Sequence, residues 1–232
     1  MKSQLFHLNR ISLAILLGLF LFTSSALAGP PLICHSLDIG DAKSIPWTSH
    51  DWNLTGSENF NTKNLAADTI AILDSDSAIL VHMETLRRAT LYARKDPVAA
   101  KELVTKLVAR ADSSANSKAA AMASFDLGYL AECYRQWMGK DEPNPAQGLD
   151  GYALVKKAMQ LRGNDPQMDF AAALITLNGP AGEHQDYVQK TLAGAKTDAL
   201  LARNLFTHFM GPQSETMADM ISRTSAAKVA KQ

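Results

Sequence analysis

Cys34 and His35 are the adjacent pair in this chain with the most specific chemistry. A thiolate beside an imidazole can hold a soft metal, with His50 or Cys133 completing the shell. The pair also matches the end of a haem-attachment motif, Cys-x-x-Cys-His. Pro31 stands where the first cysteine would have to be, which excludes covalent haem of that kind. A plainer reading uses the cysteines alone. Cys34 and Cys133 are the only two in the chain, so they form one bridge or stay as two thiols. A bridge would close a loop of about 100 residues and add up to about 4–5 kcal/mol by the chain-entropy argument. Pro31-Leu32-Ile33 in front of Cys34 fits poorly with a lipid-anchor signal, which wants a small residue there.

Other reactive groupings are missing. No His-Glu-x-x-His spacing places two zinc ligands one helical turn apart. No Gly-x-Ser-x-Gly elbow, Walker loop or dinucleotide-binding glycine pattern occurs. His82 falls on the apolar stripe of a helix, and His208 lies within Leu205-Phe206-Thr207-His208-Phe209, so both read as hydrogen-bonded structural histidines. Glu132 and Glu183 are the glutamates with helical context that a muramidase-like site would need, and neither sits in a recognisable motif. The expectation is a chain without cofactor or resident metal.

The elements that position these residues begin after a targeting segment. Lys2 and Arg10 precede the apolar run Ile11 to Phe22, and Ala26-Leu27-Ala28 offers a small-x-small cleavage site. That order describes a secretory signal over residues 1–28, too short in its apolar part to span a bilayer. Export to the periplasm or beyond, in a bacterium, is the expectation. Removing 1–28 takes the 23 basic residues to 21 and leaves the 23 acidic ones, a net of −2. Near-balance of this kind argues against a sequence-independent hold on nucleic acid and against a polybasic membrane patch. No second long apolar run follows, so no transmembrane segment is expected in the mature chain.

Residues 29–64 are rich in Pro, Gly, Ser, Thr and Asn and carry no helical period. They read as an extended or looped segment pinned by Trp47, Trp52 and Phe60. Residues 65–227 are rich in helix formers, with a polar tail over 228–232. Helices are expected over 65–73, 78–94, 98–111, 118–138, 152–161, 166–177, 183–193, 198–210 and 215–226. Asp96-Pro97 and Asp165-Pro166 each pair a capping side chain with a proline at the first helical position. Ile79, His82, Leu86, Ala89 and Ala93 draw one apolar stripe on the second helix. The fold class that follows is all-α, built of antiparallel helix pairs behind an irregular N-terminal segment.

Leu127-Gly128 in one helix, Ala158 late in the next, and Asn164-Asp165-Pro166 opening a third make a helix–turn–helix pattern. This resembles a degenerate tetratricopeptide repeat, over roughly 40 residues. Gly163 stands where that repeat usually has proline, and Lys140 to Leu149 lengthens the turn. The resemblance implies helix pairs nesting side by side, with Gly128 and Ala158 permitting close approach. It also implies a non-catalytic scaffold whose first helices contact a protein or peptide partner. Tyr129, Glu132, Arg135 and Gln136 are the expected contact residues. The alternative function is a small periplasmic hydrolase of cell wall or polysaccharide. Separately, Ile33 to Trp47 resembles the start of some secreted bacterial proteins, which implies a setting and no activity.

Overall fold

The structure, a computed structural model, describes residues 30–48, 54–75, 77–113, 117–138, 142–179 and 181–209. The expected signal segment, His50, Trp52, the expected helix over 215–226 and the tail lie outside the described residues. Among the described residues there are eight α-helices and no strand. They are α1 Leu65–Leu73, α2 Ile79–Ala93, α3 Pro97–Ser113, α4 Ser117–Trp137, α5 Gly151–Arg162, α6 Pro166–Ile175, α7 Ala181–Ala195 and α8 Ala199–Phe209. A short 3-10 turn, Thr62–Asn64, leads into α1.

Local chemistry fixes the helix ends. Asp165 accepts from the Gln167 and Met168 amides in front of Pro166, and Asp150 accepts from the Ala153 amide. Asp96 accepts from the Ala99 amide at 3.0 Å. Because Asp150 is the cap, α5 begins at Gly151, one residue before its expected start. Gly163 ends α5 at φ +85°, a conformation that a side chain would resist. α6 stops at Ile175, short of the expected Leu177, and the Thr176 hydroxyl bonds back to the Ala172 carbonyl at 2.8 Å.

Residue-level contacts give the helix directions. Arg162 at the end of α5 reaches Met122 early in α4, while Gly151 at the start of α5 lies against Gly128 further along α4. α4 and α5 are therefore antiparallel. A Cβ added to Gly128 would come within 2.6 Å of the Gly151 carbonyl oxygen and 2.8 Å of Leu154 Cβ. The glycine thus sets the separation of the most extensive helix–helix contact among the described residues. His184 early in α7 meets the Ala173 carbonyl late in α6, and Gly194 late in α7 meets Pro166, so this pair is antiparallel too. α2 and α4 run parallel: His82 and Thr90 of α2 face Asp126 and Cys133 of α4 in the same order.

The single apolar stripe expected on the second helix understates its burial. Every residue of α2 except Arg88 is buried. α1, α3, α4 and α6 all pack against it, and the N-terminal segment covers what they leave. Leu32, Ile33, Leu37, Ile39 and Ile45 of that segment belong to the same core as the helices. Trp47 and Phe60 both pack on Tyr92 of α2, with ring centroids 5.5 and 4.4 Å away.

Candidate functional site

The N-terminal segment is neither helix nor strand: it opens on a turn in which the Ile33 and Cys34 amides donate to the Pro30 carbonyl, and it lies against α2, α4 and α8. Chain outside helix and sheet leaves most of its amides and carbonyls unpaired, and burial makes that costly unless side chains satisfy them. Here they do so in sequence. Gln136 of α4 accepts from the Leu32 amide at 3.0 Å, and Arg87 of α2 donates to the Ile33 carbonyl at 2.9 Å. Glu84 accepts from the Leu37 amide at 2.9 Å. Asn204 of α8 accepts from the Asp38 amide at 2.8 Å and donates to the Asp38 carbonyl at 2.7 Å. Arg88 donates to the Ile45 carbonyl, and the Tyr92 hydroxyl to that of Pro46. Six side chains from three helices thus hold one N-terminal segment by its backbone.

The charges on this face are compensated internally. Arg87 donates to both Glu84 oxygens, at 2.7 and 2.9 Å, and Arg88 adds a third bond at 2.7 Å. Burial alone would raise the Glu84 carboxyl. The Arg87 hydrogen bonds and charge, helped by Arg88 and the Leu37 amide, outweigh it and hold the group below its ordinary value. Arg87 also lies over the Trp47 ring, 5.3 Å from its centroid. A pair locked this way positions and neutralises; it has no proton to offer near neutrality.

The expected contact residues separate into two groups. Tyr129 is 0 % exposed and Glu132 4 %, so neither presents a surface to a partner in this conformation. Tyr129 stacks on Phe125 in the core, and Glu132 fits the α4–α5 seam against Gly151, held by Arg135. Arg135 and Gln136 do reach the surface. With Pro30, Pro31, Ile175 and Asn178 they line a cavity of about 430 Å³ where the bound segment begins. Glu183, the other glutamate considered, accepts from the Tyr152 hydroxyl at 3.0 Å.

Cys34 is partly buried, Cys133 is fully buried, and both are thiols in this structure. Burial pushes the Cys133 thiol well above its ordinary value, and burial raises Cys34 as well, so neither is an activated nucleophile. His35 packs edge-on to His208 with centroids 5.6 Å apart. No group of three or more His, Cys, Asp or Glu side chains is placed to hold a metal ion among the described residues.

His82 is a buried structural histidine, with a further feature that the sequence did not indicate. Its Nδ1 lies 2.6 Å from Asp126, whose other oxygen accepts from Arg110 at 2.6 Å. A carboxylate only accepts, so Nδ1 is the donor in this bond. His82 and Arg110 line a second cavity, of about 310 Å³, together with Ser75, Ser77 and Arg162.

Sequence reasoning missed Glu84, Arg87, Arg88 and Asn204. The available signal was a charged triplet at spacings of three and four beside Met83 and Leu86, and an Asn between Leu201 and Leu205. Polar groups interrupting an apolar helix face must bond to something buried. Comparison with protein-family models, curated proteins and solved structures finds no match for this chain.

Proposed function

We propose that this chain is an exported helical-repeat scaffold, tetratricopeptide-like in the stacking of its helix pairs, that binds an extended peptide segment of a protein partner. One observation carries the reading: side chains from α2, α4 and α8 hold a non-helical segment of chain by its backbone amides and carbonyls. Recognition of that kind reads chain geometry and tolerates sequence.

The resident segment is not the exchangeable ligand. Burying an aliphatic side chain is worth about 1.5–3 kcal/mol, and this segment buries Leu32, Ile33, Leu37, Ile39 and Ile45. The partner segment instead takes the 430 Å³ cavity where the resident one begins. There Arg135, Gln136 and Asn178 supply hydrogen-bonding groups for peptide carbonyls, and Pro30, Pro31 and Ile175 supply an apolar wall. The test is a panel of unrelated dodecapeptides against the full-length protein and Asn178→Trp, which fills the mouth of this cavity. Saturable binding lost in the variant at unchanged melting temperature supports the reading; binding indifferent to the variant contradicts it.

A second reading, a helical hydrolase of cell wall or polysaccharide, draws on one observation. His82, bonded to the buried Asp126, lines a cavity that also holds the Ser75 and Ser77 hydroxyls. Release of reducing ends from peptidoglycan by the wild type and not by His82→Asn would favour it over the scaffold.

A further inference from the structure

α5, α6, α7 and the Gly163–Asn164 loop line a third, open cavity, of about 330 Å³, and none of these helices contributes a side chain to the hold on the N-terminal segment. Asp169, in the first turn of α6, lines it. Asp169 is 3 % exposed, and no hydrogen bond or ion pair engages its carboxylate among the described residues. A buried carboxylate without a partner is costly, and native structures keep few of them. Lys156 of α5 and Lys190 of α7 line the same space. Each lysine ammonium lies over a tyrosine ring, Lys156 at 4.4 Å from Tyr152 and Lys190 at 5.5 Å from Tyr187. Neither lysine forms an ion pair with a carboxylate among the described residues.

One buried negative group, a half-buried lysine and an exposed lysine therefore line one small cavity. A simple anion would meet Asp169, and a simple cation would meet both lysines. A neutral ligand would leave the buried carboxylate with no hydrogen-bonded counter-charge, only the longer-range pull of Lys190. A ligand carrying both signs satisfies all three. We propose that this cavity binds a free α-amino acid as its zwitterion, with the ammonium group on Asp169 and the carboxylate on Lys156 and Lys190. Met159 and the Tyr187 ring are the cavity's surfaces for the ligand side chain, and a volume of this size suits a ligand of that class.

The groups facing Asp169 are Lys156 from α5, Lys190 and Tyr187 from α7, and Asp165 at the cap of α6, itself paired with Arg162. Burial raises the Asp169 carboxyl, Lys190 opposes the rise and Asp165 adds to it. A bound ammonium would pull the carboxyl down, so affinity should fall as the pH is lowered through its titration. This site stands apart from the peptide-binding reading, and either can fail alone.

Calorimetric titration of the full-length protein with the common α-amino acids, their N-acetyl derivatives and their methyl esters tests it. The expected result is saturable binding of at least one amino acid, weakened tenfold or more by acetylating the amine and by esterifying the acid. Asp169→Asn and Lys190→Met should each weaken binding tenfold or more without lowering the melting temperature. Absence of binding by every amino acid overturns the proposal. Equal binding of a parent and its N-acetyl form, or binding unchanged in Asp169→Asn, overturns it as well. So does binding of neutral monosaccharides in place of amino acids.

Discussion

Arg87 donates through Nη1 to the carbonyl of Ile33 at 2.9 Å, joining residues 54 positions apart inside the core. The same guanidinium neutralises Glu84, which in turn accepts from the Leu37 amide. One ion pair therefore supports both an internal charge balance and the path of the N-terminal segment.

Arg87→Met leaves Glu84 buried with Arg88 as its remaining cationic partner and leaves the Ile33 carbonyl without its donor. The expected loss is about 3–5 kcal/mol, read by urea denaturation. Because the two residues share one interaction, replacing Glu84 and Arg87 together by Met should cost less than the sum of the two single changes.

Asn204→Ala removes the acceptor for the Asp38 amide and the donor to its carbonyl. A loss of about 1–3 kcal/mol is expected from two net hydrogen bonds. Hydrogen exchange should accelerate first at the Asp38 amide, ahead of amides in α4 and α5. Uniform acceleration would mean that the segment is not held locally at this point.

Gly128→Ala puts a methyl group 2.6 Å from the Gly151 carbonyl oxygen, a backbone atom that cannot rotate away. Overpacking of this kind costs about 1–3 kcal/mol. The same change at Gly182, whose added Cβ would meet nothing within 4 Å, is the control and should be neutral or stabilising.

His208 is buried against Phe170 and His35, and burial lowers its pKa from 6.5 to about 4. The unfolded chain binds this proton more readily than the folded one. Stability is therefore full above about pH 6.5 and is lost as the pH falls toward 4. The contribution from this one group is roughly 3 kcal/mol. In His208→Phe, the drop in denaturation free energy between pH 7 and pH 4 should be smaller than in the wild type.

The eight described helices were legible in the sequence to within a residue or two, because Asp96-Pro97, Asp165-Pro166 and Gly163 are local signals that act through the adjacent turn. The close approach at Gly128 was legible for the same reason, since its neighbours are on the next helix. The hold on the N-terminal segment was not. It depends on pairs such as Asp38 with Asn204, which are 166 positions apart, and no local pattern announces them. Tyr129 shows the converse. Its spacing put it on a first helix, yet Phe125 and the packing around α4 place it inside, where periodicity alone cannot tell an inner face from a groove.

The scaffold reading is tested most directly by placing a photo-crosslinking amino acid at position 178 of the full-length protein and exposing it to a defined panel of dodecapeptides. The account predicts covalent peptide adducts at position 178 that saturate with concentration and that are not seen with the same crosslinker at exposed Val98. Equal, unsaturable labelling at positions 178 and 98 would contradict it.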